Sequence, residues 1–533
     1  MNVADERVPD AGPTEALQEP HAASATNKWL VAAAVIVPTI LEVVDGTVVA
    51  VVMPHIQGSL NAAVDEVTWV LTSYLVANGI VIPLTGWLSA LFGRKRFFLL
   101  CIALFTLSSF LCGAATNLPM LIVFRLLQGA SGAAMIPLSQ AILLETFPPK
   151  EHGMAMAVWG VGVMFAPIVG PVLGGWITEH YTWRWAFYIN VPLGVLAFVL
   201  TSAFVHDPVY VRRALSRIDY VGLGLLMLWI GGAQLVLDRG ERADWFAAAW
   251  VWVTSGTAAV ALVTFIFWEL HHTAPIVDFR LLTNRNYTMG VVLHTVLGFV
   301  LYSSVTLQPL YAQTLLGYDA LNAGVMMMPG GFGTLLTMPL AGVLMNRTDA
   351  RWLLLVGMLV TNYSLVMMSH LTLDVSMGQM SWPRIVWGLG MGFYFVPLSA
   401  AAIGAVNKEK MGDASALFNL MRNLGGSVGV ALAVTLLSRR AQFHQHVLVA
   451  HVTPYDPQAT ERFTYLWQGL IRSGTDPMTA QAQAGQLIYL EVQRQSVLMA
   501  FLDSFWVIGV ASLACVPLVF LMRGFRGGMT IGH

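Results

Sequence analysis

Polar and apolar positions segregate along this chain. The first 28 residues are polar, with Pro9, Pro13 and Pro20 and five carboxylates, a composition that predicts a disordered tail. Beyond it, apolar runs recur with short polar breaks between them. Fourteen are long enough to cross roughly 30 Å of hydrocarbon as helices. They cover 29–53, 67–90, 97–116, 120–144, 153–178, 185–205, 220–238, 247–269, 287–314, 322–345, 352–371, 382–406, 413–437 and 497–522, and are numbered here as spans 1 to 14. The pattern predicts an all-α polytopic membrane protein.

Composition agrees. Hydrophobic residues make up 56% of the 533 and charged residues 11%, against roughly 25% charged in a soluble domain. The formal charge of −1 leaves no basic surplus for a nucleic-acid partner. Cys101, Cys112 and Cys515 all fall in apolar runs and read as small core residues. Seventeen Lys and Arg lie in segments of one side, including Arg94, Lys95 and Arg96, and Arg212, Arg213 and Arg217. The short loops of the other side hold only Arg184, Arg239 and Arg242. The bias predicts both termini in the cytoplasm.

An internal echo suggests two halves. Pro83-Leu-Thr-Gly-Trp-Leu returns as Pro339-Leu-Ala-Gly-Val-Leu, and Pro137-Leu-Ser as Pro397-Leu-Ser, preceded at similar spacing by Arg125 and Arg384. Spans 2 and 4 thus correspond to spans 10 and 12. The organisation expected is a tail (1–28), a six-helix half (29–205), a linker with spans 7 and 8 (206–286), a second six-helix half (287–522) and a short cytoplasmic end (523–533). Such parallel repeats bind substrate between the halves.

Span 1 carries Glu42 and Asp45 on one helix face, costly in an apolar run unless they face protein or water. Asp45 and Arg125 of span 4 lie at similar depth, so pairing is within reach. A carboxyl in apolar surroundings resists ionisation, and a guanidinium beside it favours the charge. A conformational change in their separation would load and unload a proton; the alternative is a static pair holding spans 1 and 4 together. Gln128, one turn from Arg125, shares its polar face. In span 9, His294, Gly298, Tyr302, Val305 and Gln308 form one stripe. With Gln128 of span 4, Tyr394 of span 12 and Asn419 and Arg422 of span 13, His294, Tyr302 and Gln308 are candidate substrate contacts. Met326, Met327 and Met328 add soft apolar surface that can re-pack around different guests.

These motifs resemble those of the major facilitator superfamily, in the EmrB-like group of its fourteen-helix drug/proton antiporter branch. Gly86-x-Leu88 with Gly93-Arg94-Lys95 resembles the cytoplasmic gating loop, and Arg125-x-x-Gln128-Gly129 the span 4 motif linked to proton transfer. Gly170-Pro171-x-x-Gly174-Gly175 resembles the antiporter motif of span 5, and Asp45-Gly46-Thr47 ending at Pro54 the span 1 motif. Trp183-Arg184-Trp185 and Asn190-Val191-Pro192 are also typical. The chain departs from the pattern at Ala90, where the gating loop usually has Asp, and at Ala50, where span 1 usually has Asn.

The resemblance implies a proton-coupled exporter of hydrophobic or amphiphilic compounds in a bacterial inner membrane. It would be driven by the proton gradient, without a cofactor, and would be no enzyme. Rival readings are an exporter of one physiological substrate (a fatty acid, siderophore or lipid), a passive facilitator and a membrane sensor. The outer segment 438–496, with ends that continue spans 13 and 14 as helices, is where the resemblance places a membrane-fusion adaptor that leads to an outer-membrane channel. His444, His446 and His451 lie in it without a carboxylate or Cys at ligand spacing, so no metal is expected.

Overall fold

The computed structural model describes residues 27–207, 219–272, 275–526 and 529–530. The tail before residue 27 and the basic cluster Arg212, Arg213 and Arg217 lie outside the described residues, as does the side chain of Pro171. The described residues form helices joined by short loops and turns, apart from one antiparallel pairing of Phe525–Arg526 with Met529–Thr530. Among them, thirteen helical stretches are long and apolar enough to cross a membrane. Span 5, His152–His180, is a fourteenth helix of 29 residues, seated between spans 1 and 10.

The first half comprises Lys28–Ser59, Trp69–Phe92, Arg94–Ala114, Leu118–Thr146, His152–His180 and Trp185–Phe204. The second comprises Arg285–Leu315, Ala320–Leu344, Ala350–Met368, Met377–Ile403, Met411–Val449 and Pro477–Leu513. Local chemistry sets several starts. Asn117, Asp319, Asp349 and Asp476 accept backbone N–H bonds of the first turns, and Ser376 with Gln379 forms a reciprocal cap, as short polar side chains do at helix N-termini. Span 2 tightens into a 3₁₀ turn at Ile82–Leu84 because Pro83 has no N–H to continue the α ladder.

Neighbours repeat between the halves. Span 1 packs on spans 5 and 6, span 2 on span 4, and span 3 on spans 4 and 6; span 9 packs on 13 and 14, span 10 on 12, and span 11 on 12 and 14. Lipid tails are as apolar as leucine, so close packing and hydrogen bonds hold such helices together. Span 8, Ala249–His271, turns Trp252, Val253, Val260, Val263 and Phe267 outward, the side suited to lipid. Span 7, Tyr220–Arg239, lies on span 2 and reaches span 13, where Ser427 Oγ donates to Gln234 Oε1 at 2.9 Å. The inserted pair thus flanks the junction of the halves.

At the end of the bundle carrying Gly86 and Asp413 the halves meet closely. Trp159 stacks on Phe395 with ring centroids 5.7 Å apart. Gln140 Oε1 accepts from Ser415 Oγ at 3.0 Å and from Asn419 Nδ2 at 2.6 Å. Gly153 and Gly342 lie so close that a Cβ on Gly153 would come within 3.0 Å of the Gly342 carbonyl oxygen. Beyond the membrane, span 13 runs unbroken to Val449 and span 14 begins at Pro477, with an outer helix Pro457–Arg472 between them. Both helical continuations expected for 438–496 are present.

Candidate functional site

Asp45 sits halfway along span 1, wholly buried, with three donors converging on it. Arg125 Nη1 donates to Oδ2 at 2.7 Å, while Gln128 Nε2 and Asn190 Nδ2 donate to Oδ1 at 2.9 and 2.7 Å. Arg125 and Gln128 face it together because they stand one turn apart on span 4. Asn190 arrives from span 6, as the first residue of the helix Asn190–Phe204, and also donates to Ser109 Oγ at 3.0 Å.

The cage continues around the cation. Arg125 Nε donates to the Val70 carbonyl at 3.0 Å and Nη1 to Gln128 Oε1 at 2.8 Å. Its guanidinium carbon lies 4.2 Å from the Tyr74 ring centroid and 5.9 Å from that of Phe187. An isolated ion here would be very costly; a pair with its remaining hydrogen bonds satisfied is tolerated, and removal of one partner typically costs about 3–5 kcal/mol. Since all three partners of Asp45 donate, the cage fits the ionised, acceptor-only carboxylate. Two polar atoms remain open: Arg125 Nη2 and Asn190 Oδ1 are buried without a hydrogen-bond partner among the described residues.

Glu42, one turn away, is buried as well. Its Oε1 accepts from Asn78 Nδ2 at 3.1 Å, and its Oε2 has no hydrogen-bond partner among the described residues. Arg422 of the other half makes, among the described residues, only long bonds to Asn423 Oδ1, at 3.4 Å.

The remaining expected substrate contacts fall in different surroundings. His294 is wholly buried, stacked on Phe418 with centroids 3.7 Å apart, and neither ring nitrogen has a hydrogen-bond partner among the described residues. Tyr394 spends its hydroxyl on the Leu293 carbonyl at 2.8 Å, fastening span 12 to span 9. Asn419 belongs to the junction with Gln140. Tyr302 is half-exposed and lies against Gly426. Gln308 is buried, and neither of its amide atoms has a partner among the described residues. Gln128 is committed to the Asp45 cage.

In the loop expected to gate, Gly93 has φ +85°, a conformation that residues other than glycine rarely adopt; the chain turns there from span 2 into span 3. Arg94 forms a buried ion pair with Glu145. Lys95 caps span 6, with Nζ donating to the Ser202 carbonyl at 2.7 Å. Gly86 lies against Asp413 of span 13. The acid absent at position 90 thus has an acid facing the loop from the opposite half. In span 5, Gly170 and Gly174 admit Thr47 and Val51 of span 1, and Gly175 meets Leu321 of span 10. His444 Nε2 lies 2.7 Å from an Asp503 oxygen, a partner that spacing within 438–496 could not disclose. Among the described residues no His, Cys, Asp or Glu group is arranged to hold a metal.

Sequence reasoning left four residues of this region without a role. Asn190 stood in a quoted motif, but its reach to Asp45 depends on how span 6 packs. Asn78 and Gln140 were visible as polar residues inside apolar runs. Tyr74 offered no signal, because an aromatic residue is ordinary in any span.

Residues 37–430 match the Major Facilitator Superfamily. The fatty acid resistance protein FarB of Neisseria gonorrhoeae is 36% identical over 485 residues, covering 91% of this chain and 94% of its own. The multidrug export protein EmrB of Escherichia coli (strain K12) is 34% identical over 495 residues, covering 92% and 95%. Among solved structures, that of the human organic anion transporter MFSD10 (TETRAN) matches the fold with a TM-score of 0.63 at 14% identity, covering 92% of this chain and 99% of that one. A multi-pass membrane chain with two repeated six-helix halves, it belongs to the Major Facilitator Superfamily, in the EmrB-like group of its drug/proton antiporter branch, and is a transporter rather than an enzyme.

Proposed function

We propose that this chain exports hydrophobic or amphiphilic toxic compounds across a bacterial inner membrane in exchange for protons, with both termini in the cytoplasm. The observation that carries the reading is the Asp45 cage: a carboxylate in mid-membrane, held by a guanidinium and two amides. Protonation would turn Asp45 from an acceptor into a donor and weaken its hold on Arg125. The unpartnered Asn190 Oδ1 offers an acceptor for that proton once the amide turns over. Loss of the ion pair frees span 4 from span 1, and rocking of the halves follows. The names of the relatives, multidrug export protein and fatty acid resistance protein, support an amphiphilic substrate. The second name keeps a dedicated fatty-acid exporter as the competing reading, which a panel of chemically unrelated substrates separates.

The decisive measurement is substrate-dependent proton movement in vesicles reconstituted with the purified protein. Wild type should move protons with substrate and Asp45→Asn should not, although the variant folds. Unaltered coupling in Asp45→Asn would remove this acid from the mechanism.

The outer segment is the proposed seat of a membrane-fusion adaptor leading to an outer-membrane channel. Arg440 and His444 brace span 13 to Asp503 of span 14 at 2.6 and 2.7 Å, and Arg462 pairs with Glu491 to pin the outer helix. Tyr455, Tyr465, Met478 and Leu490 remain exposed on this platform. Shortening 438–496 should spare transport in vesicles and abolish resistance in cells that need the adaptor; normal cellular resistance would overturn the docking role.

A further inference from the structure

The Asp45 cage has a counterpart in the second half from which the acid is missing. A shift of 259 residues carries Asp45 onto Ser304, Arg125 onto Arg384 and Gln128 onto Trp387. The shift of 256 that relates Pro83 to Pro339 carries Tyr74 onto Gly330. The contacts follow the same plan. Arg384 Nη1 donates to Ser304 Oγ at 3.3 Å, where Arg125 Nη1 meets Asp45. The Arg384 guanidinium lies 4.0 Å from the Trp387 ring centroid, and Gly330 leaves room for its stem, since a Cβ there would come within 2.6 Å of Arg384 Cγ.

The difference is charge. Arg384 is only 6% exposed, and its one hydrogen bond among the described residues goes to a neutral hydroxyl. Its Nε has no partner among the described residues. Gln308, one turn beyond Ser304 on span 9, is wholly buried, and neither its amide atoms nor Trp387 Nε1 have a partner among those residues. A buried guanidinium without a counterion is strongly disfavoured unless something neutralises it. A guanidinium, a hydroxyl, an amide and an indole N–H together present the donors that a carboxylate or halide accepts from.

We propose that Arg384, Ser304, Gln308 and Trp387 form a site for a monovalent anion, either the carboxylate headgroup of an amphiphilic substrate or an inorganic anion such as chloride. In the first half the counterion is part of the chain; in the second the ligand brings it. The assignment rests on the reading of this chain as an exporter of amphiphiles, yet binding is measurable without transport.

Purified full-length protein is titrated calorimetrically in a sulfate buffer with octanoate, with its uncharged counterpart octanamide, and with sodium chloride. Octanoate or chloride should bind and octanamide should not. Ser304→Asp, which builds in the missing carboxylate, and Arg384→Gln should each weaken anion binding by on the order of tenfold or more. Octanoate binding that chloride leaves untouched assigns the site to a substrate headgroup. Mutual displacement assigns it to either anion, and binding of chloride alone to an inorganic ion. The proposal is overturned if neither anion binds, if octanamide binds as tightly as octanoate, or if Ser304→Asp retains wild-type affinity. Anion binding in a chain that moves no protons with substrate would remove the antiport reading and leave this site standing.

Discussion

The two halves solve the same packing problem with opposite electrostatics. Around Arg125 the first half supplies a carboxylate, an amide, a backbone carbonyl and an aromatic face. Around Arg384 the second half supplies a hydroxyl and an aromatic face. Similar helix neighbours thus hold one neutralised cation and one that the described residues leave without a counterion. A repeat preserves geometry while a single position decides whether the charge is satisfied from within.

The largest expected break in that comparison comes from deleting each cation in turn. Arg125→Met strands the buried Asp45 carboxylate and should lower stability by about 3–5 kcal/mol. Arg384→Met removes a guanidinium without a partner acid and should leave stability unchanged or raise it. Thermal unfolding of the two purified variants in one detergent and a sulfate buffer checks the pair; equal losses would mean that Arg384 is neutralised internally. Next in size, Asn190→Ala deletes one of the three donors to Asp45 and should cost about 1.5–3 kcal/mol, the range for a hydrogen bond to a charged group, together with a displaced pH profile of transport. A stability loss with an unmoved pH profile would reduce Asn190 to a packing role. The smallest effect is expected for Tyr74→Leu, which keeps the apolar contact and loses the cation–π attraction, about 0.5–2 kcal/mol. The same unfolding assay reads it, and a loss as large as that of Arg125→Met would show that Tyr74 holds more than the ring contact.

The spans and their pairing into halves were legible because the bilayer imposes length and apolarity on every crossing helix. Pro83 and Pro339, with the tripeptides around Pro137 and Pro397, marked the register of the repeat. Asp45, Arg125 and Gln128 stood out because ions inside apolar runs are costly and because helical spacing places Arg125 beside Gln128. The third donor was not legible in the same way. Asn190 lies 145 residues from Asp45 and joins it only once span 6 has packed on span 1. Arg384 was visible as an echo of Arg125, but a missing counterion is a fact of three-dimensional surroundings and leaves no local trace. The same limit applied to Tyr394, whose hydroxyl is used on the Leu293 carbonyl, and to Asp413, whose approach to Gly86 joins residues from opposite halves.

Span 13 is a single helix of 39 residues, Met411–Val449, about 58 Å from end to end. One end meets span 2 at Gly86 through Asp413, and the other continues into the segment 438–496. Packed along its length on spans 9 and 14 and tied beyond them to Asp503, it can tilt only as one piece with its neighbours, and a tilt of about 10° displaces one end relative to the other by roughly 10 Å over that length. The segment 438–496 and the Asp413 contact with Gly86 therefore stand on one continuous helix, so a tilt imposed at either end is passed to the other.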